Sequence, residues 1–323
     1  MRLVRWLPGR LLSAAVVLLG ASALIFIALR SMPGDFAQLI LGPLADEAQR
    51  QEVRATFGLD RSLPEQFLLW LTAAVRGDLG ISMATGVPIA DQFALRLPVT
   101  FLLAAMALVF TIAIGIPLGV LTGTNARSAG GSVVGRLLSG IGISVPEFVL
   151  GAVLLFLFSR FALGITVGNF VLPADDFWGG VRSLLLPAIT LALFCVAATA
   201  RITRSAVLGV LVEPHVGAAV ARGESKWFIV RHHILRNAMI PVLTLVATLA
   251  AYLLGGAVIV ENIFNVPGFG SYLFAALGRR DYTVIQAGVL LVTAIFVVAS
   301  VVIDLATGLV DPRVSALRKG RTS

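Results

Sequence analysis

The chain has 323 residues, of which 58% are hydrophobic and 13% charged, and its mean hydropathy is +0.96. A soluble domain carries about 45–50% apolar and about 25% charged residues, so this composition excludes a soluble enzyme or a nucleic-acid-binding domain and defines an integral membrane protein. The formal charge of +8 is therefore a topology signal first, and the single cysteine, Cys195, excludes a disulfide framework or a thiolate metal cluster.

A helix needs about 20 mainly apolar residues to cross the hydrocarbon core, and stretches without Asp, Glu, Lys or Arg mark the candidates. Residues 11–29 are the first, between Arg10 and Arg30. The small tripeptide Ala21-Ser22-Ala23 lies inside this run instead of after it, so the segment reads as a retained helix and not as a cleaved leader. Residues 30–96 follow as a small external helical cap. Within it, 46–57 is a polar amphipathic helix closed by Gly58. A second helix, 64–75, has Pro64 in its first turn and Gly77 past its end.

The second predicted span, 97–126, carries Gly115, Gly119 and Gly123 at four-residue intervals, a spacing that lets two helix backbones approach closely in lipid. The third, 137–159, is interrupted only by Glu147. Residues 161–174 are too short to cross and hold two glycines, and read as a re-entrant or external segment. The fourth span, 183–200, is the weakest, because it has only 18 residues and contains Pro187. The fifth is 237–260 and the sixth 282–303. The expected fold is all-α with six transmembrane helices. Residues 1–29 are the N-terminus and first span, 30–96 the cap, 97–310 a five-helix core that includes the inner loop 205–237, and 311–323 a tail.

With both termini cytoplasmic, the inner segments hold 15 basic and 4 acidic residues, and the outer ones 10 basic and 12 acidic. Excess positive charge belongs inside. The inner loop is the most unusual segment. A short helix-forming piece, 216–222, meets Gly223, and an amphipathic piece follows with Trp227, Phe228, Val230, Ile234 and Leu235 between Lys226, Arg231 and Arg236. Two short helices hinged at a glycine form a compact docking surface for another protein; a basic helix lying on anionic lipid is the alternative.

Gly217-Ala218-Ala219, three further residues, Gly223 and the downstream Pro241 resemble the EAA loop of permease subunits in bacterial binding-protein-dependent ABC importers. Other motifs narrow the resemblance to the peptide and nickel permeases, the B-type subunit of dipeptide and oligopeptide systems. They are Met32-Pro33-Gly34-Asp35, Phe57-Gly58-Leu59-Asp60, Gly77-Asp78-Leu79-Gly80-Ile81-Ser82, Arg96-Leu97-Pro98-Val99-Thr100 and Gly142-Ile143-Ser144-Val145-Pro146. Leu186-Pro187-Ala188, Gly255-Gly256 through Glu261, Phe264, Pro267-Gly268, Arg280-Asp281-Tyr282 and Asp311-Pro312-Arg313 complete an ordered set over nearly the whole chain. The Glu that names the loop is replaced by Gly217, so shape and apolar contact carry more of its docking than charge does.

The resemblance implies a permease that pairs with a second homologous permease. It also implies two cytoplasmic ATPase subunits, an external solute-binding protein and a bacterial inner-membrane location. Short peptides are the implied cargo, with nickel chelates or glutathione-like peptides as alternatives. Gly217, Ala218, Ala219, Arg222, Gly223, Trp227 and Phe228 would couple the chain to the ATPases. ATP and Mg would be bound by those partners, because neither lysine here follows a glycine as a P-loop requires. No His-Glu-x-x-His or Gly-x-Ser-x-Gly occurs, so no catalytic or metal site is expected. Glu147, with Ser144 and Pro146, is the pathway candidate: a carboxylate inside a span is costly against lipid and marks either a pathway or a structural pairing between helices. An ATP-independent channel or membrane anchor is the reading from a different class.

Overall fold

The computed structural model describes residues 2–32, 37, 41–42, 44–126, 133, 144–161 and 170–310, without the side chains of 2–8, 11 and 303–310. The motif residues 33–35, 142–143 and 311–313, the start of the third predicted span (137–143) and most of the segment 161–174 lie outside the described residues, as does the tail. The described chain is helical apart from turns and one isolated bridge, Ile81 to Pro88. Five of its helices are long and apolar enough to cross a membrane.

In chain order the elements begin with α1 (Arg2–Arg30), α2 (Glu47–Thr56), α3 (Leu63–Val75) and α4 (Ile89–Phe110). A π-helical turn, Thr111–Gly115, joins α4 to α5 (Ile116–Thr124), and α6 (Glu147–Phe161) and α7 (Phe177–Leu211) follow. Next are α8 (Pro214–Ala221), α9 (Lys226–Phe228), a second π-helical turn (Ile229–Ile234) and α10 (Leu235–Ile263). The last two are α11 (Phe269–Gly278) and α12 (Tyr282–Val310). The first π turn has a local cause: Pro117 has no N–H to donate to the preceding turn, and the ladder reopens one residue wider.

Contacts divide the chain into two compact units, residues 1–97 with 272–301, and residues 98–271 with 302–323. In the first unit, α2 starts from a capping box in which Asp46 and Gln49 each satisfy the other's backbone N–H. Asp281 ties residues 272–301 to the turn 78–86. Its carboxylate accepts from Ser82 Oγ at 2.5 Å, Met83 N at 3.1 Å and Ala84 N at 3.2 Å, and it caps α12 through Val284 N at 3.3 Å. Two motifs nearly 200 residues apart are thereby one structural feature. Gly80, at φ +78, brings the same turn against Thr283, where a Cβ would lie 3.2 Å from the threonine methyl.

The second unit is built around α7. This helix has 35 residues, about 52 Å at 1.5 Å per residue, and 67% of its apolar window is buried against 17–39% for the other four long helices. The stretch 183–200, read from sequence as the weakest span, is thus the centre of the unit. The charge-free count understates it because Arg182, Arg201 and Arg204 lie on the helix, which continues through them to Leu211. Val99, Leu103, Leu184, Leu191, Leu253 and Val260 form the core around it.

The glycine stripe fits against α7. A Cβ on Gly115 would lie 2.9 Å from Thr199 Cβ and one on Gly123 would lie 2.8 Å from Val207 Cγ1. On Gly119 a Cβ would overlap Thr203 and stand 2.6 Å from the Ala200 carbonyl oxygen. At the other end of the unit Glu261, fully buried, accepts from Thr100 Oγ1 and from Ser271 N at 2.8 Å, while Thr100 Oγ1 accepts from Phe269 N at 2.9 Å. The motif residues Thr100 and Glu261 therefore meet and hold the turn that leads into α11.

Candidate functional site

The inner loop is a helix-turn-helix with its own small core. Pro214 opens α8 at the first helical positions, where its missing N–H costs nothing. Val216 and Ala219 face inward and pack with Val207, Val210, Ile229, Ile234 and Ala238. Gly223 turns the chain at φ +76, a conformation that an L side chain strains. Its N–H donates to Val220 O at 3.0 Å and that of Glu224 to Ala219 O at 3.3 Å, which closes the end of α8. Ser225 then caps the next helix, accepting from Phe228 N at 3.4 Å.

Side chains brace the hinge. Glu224 accepts from Arg222 at 2.6 and 2.9 Å and pairs with His233 Nε2 at 2.9 Å, so one carboxylate spans both arms of the turn. The Arg222 hydrogen bond, supported by His233, holds the Glu224 carboxyl below the usual carboxylate range. The brace is thus intact at and above the ordinary carboxylate pKa and is lost only as pH falls through the depressed value. The sequence reading missed Glu224 and His233. The signal available was an acid between the hinge glycine and a capping serine.

The seven loop residues expected to couple divide by orientation. Gly217, Ala218, Arg222, Gly223, Trp227 and Phe228 lie on the exposed surface, with Trp227 70% exposed, whereas Ala219 is buried in the loop core. Phe228 stacks on His232 at 4.2 Å between ring centroids. Lys226 Nζ reaches Asn125 Oδ1 at 3.5 Å, which links the loop to the end of α5.

Ser144, Pro146 and Glu147 lie at the start of α6. Glu147 is the first residue of that helix, where its charge complements the positive end of the helix dipole. Its Oε1 accepts from Tyr252 OH on α10 at 2.8 Å, and the Tyr252 ring lies 5.4 Å from that of Phe194 on α7. Gly256 leaves room beside the carboxylate, since a Cβ there would stand 3.3 Å from Glu147 Oε2. The carboxylate is thus held against α10 at a half-buried position, with its partner Tyr252 44% exposed.

In the second unit apolar helices pack on a buried central helix and a braced helical turn joins α7 to α10, the organisation of a polytopic membrane protein. The family model described as "Binding-protein-dependent transport system inner membrane component" matches residues 115–316, and that of its N-terminal region matches residues 3–104. The chain belongs to this family and is the permease component of a binding-protein-dependent ABC importer, an inner-membrane protein. It is 36% identical over 308 residues to the probable peptide ABC transporter permease protein y4tP of Sinorhizobium fredii (strain NBRC 101917 / NGR234), covering 94% of this chain and 97% of that one. It is 35% identical over 312 residues to the glutathione transport system permease protein GsiC of Escherichia coli (strain K12), covering 97% and 99%. A crystal structure of an amino acid ABC transporter with histidines shares the fold, with a TM-score of 0.51 at 16% identity over 68% of this chain and 94% of that one.

Proposed function

We propose that this chain is one of two homologous permeases enclosing the pathway of an importer for short peptides, with glutathione-like peptides or nickel chelates as the alternative cargo. The observation that carries the peptide reading is near-full-length similarity to permeases named for peptide and for glutathione transport. In this reading the chain crosses the membrane six times with both termini in the cytoplasm. An external binding protein delivers the solute, and two cytoplasmic ATPases, which bind ATP and Mg, dock on the exposed face made by Gly217, Ala218, Trp227 and Phe228. The hinge at Gly223, braced by Glu224, passes their movement to α7 and α10.

Gly223→Pro tests the coupling role, because proline holds φ near −65° where the hinge has +76°. The expected result in proteoliposomes is sustained ATP hydrolysis by the assembled transporter with peptide uptake reduced more than about tenfold, consistent with about 1–3 kcal/mol of backbone strain at the hinge. Normal coupled uptake would remove the hinge from the mechanism. Purification in mild detergent tests the assembly, since an ATPase pair and a second permease are expected to accompany the chain. A chain that purifies alone and conducts ions in liposomes would instead be an ATP-independent channel.

Glu147 is proposed to meet the ammonium group of a passing peptide while Tyr252 orients it. Glu147→Gln is expected to lower uptake of a lysine-containing dipeptide about tenfold relative to a neutral dipeptide, the equivalent of about 1.4 kcal/mol. Unchanged uptake of both would leave Glu147 as a structural link between α6 and α10.

A further inference from the structure

The first unit contains a cavity of about 350 Å³ whose lining includes Arg30, Arg61, Gln66, Trp70 and Gln286 and no acidic residue. That volume falls in the range of small-molecule sites. Four of the lining side chains hold buried polar atoms without a hydrogen-bond partner: Arg30 Nε, Trp70 Nε1, Gln286 Nε2 and Gln66 Oε1. Gln286 is 4% exposed. The amide of Gln66 is fixed, because its Nε2 donates to Leu59 O at 3.3 Å and to Arg61 O at 2.8 Å, which leaves Oε1 as an acceptor. Buried polar groups are nearly always paired, and each one left unpaired costs free energy. The four atoms belong to residues that line one cavity, and a ligand supplying three acceptors and one donor would pair them as these side chains turn toward it.

The position of the cavity indicates which ligand. Arg30 is the last residue of the apolar span Leu12–Arg30, and Thr283 and Gln286 lie in the first turns of the span beginning at Tyr282. Both place the cavity at the level where hydrocarbon gives way to headgroups. Helix α3 is apolar, too short to cross, and leaves Leu63, Leu68, Leu69 and Val75 exposed, the form of a helix lying in the interface. Phe26, Phe57 and Met83 give the cavity apolar walls. Arg61 is partly offset by Glu65 at 3.5 Å, whereas Arg30 has its guanidinium 5.4 Å from the Phe26 ring centroid and 5.3 Å from that of Tyr282.

We propose that this cavity binds the phosphodiester headgroup of a membrane phospholipid. The phosphate oxygens take the N–H groups of Arg30, Trp70 and Gln286, and a hydroxyl of the headgroup donates to Gln66 Oε1. Basic pockets between transmembrane helices hold anionic headgroups on the cytoplasmic side of membranes, and the same pairing chemistry applies at the external side. The site would fasten α3 to the bilayer, and it stands or falls separately from the identity of the transported solute.

Native mass spectrometry of the purified transporter with dioleoylphosphatidylglycerol tests it. One retained lipid per chain is expected, with the dissociation constant raised about tenfold or more by Trp70→Phe and by Gln286→Leu. Trp70→Phe removes the indole N–H, which has no protein partner, together with part of the ring, so thermal unfolding is measured beside the wild type and lipid affinity is compared at a temperature where both are folded. Millimolar inorganic phosphate is expected not to displace the lipid. Displacement by inorganic phosphate would assign the site to the free anion and overturn the lipid reading. Undiminished lipid retention in both variants, as for a cavity filled by water alone, would overturn it too.

Discussion

Gly119→Leu is expected to prevent the second unit from packing while leaving membrane insertion intact. Insertion depends on the apolarity of the segment, which leucine increases. Packing depends on how closely α5 can approach α7, and there even the first carbon of a side chain has no space: it overlaps Thr203 and lies 2.6 Å from the Ala200 carbonyl oxygen. A backbone oxygen on a central helix cannot move aside as a side-chain tip can, so the helices must separate along their length. Overpacking of this kind typically costs about 1–3 kcal/mol and occasionally more, and leucine here belongs at or beyond the upper end. Thermal unfolding in detergent micelles would measure it. The graded alanine series makes the argument specific: Gly119→Ala should destabilise most, Gly115→Ala and Gly123→Ala less because the nearest backbone oxygens stand farther off at 3.1 and 3.3 Å, and Gly209→Ala not at all, since nothing lies within 4 Å of its position. Equal effects along the series would remove close approach as the reason for the stripe.

Glu261→Ala is expected to be comparably damaging by a different route. The fully buried carboxylate satisfies Thr100 Oγ1 and the backbone of Ser271, and Gly268 presses so close to it that it could not carry a Cβ. Truncation leaves two donors in a dry site at about 1–3 kcal/mol each, together with the volume of the lost side chain. Glu261→Gln keeps the shape and one oxygen acceptor and should cost roughly half as much. Protease resistance of the turn 264–271 in the purified transporter, followed with temperature, distinguishes them. An alanine variant as resistant as wild type would mean that the turn does not depend on this residue.

Much of the architecture is legible in the sequence because it depends on local signals. Charge-free stretches locate the long helices, since each must satisfy its own backbone in lipid whatever its neighbours are. The helices 46–57 and 64–75 are marked by their caps, and Gly58 and Gly77 do take positive φ at their ends. The inner loop is marked by Gly223 between two helix-forming pieces. The exception, 183–200, shows the limit of the method: counting charges shortens a helix whose arginines lie on it.

Partner choice was not legible. Nothing local to Glu147 names Tyr252, 105 residues away, and nothing in Gly77–Ser82 names Asp281. The four-residue glycine spacing predicts a close helix contact, but its partner on α7 is decided by how several helices pack at once. The orientation of Ala219 into the loop core and of Ala218 out of it follows from where α8 meets Val207 and Ile229. By itself the sequence determined the class of protein, the positions of its long helices, its hinge and its family motifs, all of which rest on composition and short-range spacing. Only the tertiary structure decided which carboxylate holds which turn, which residues of the loop stay exposed and which side chains line one cavity. Those outcomes depend on contacts between residues far apart in the chain, and no local free-energy preference encodes them.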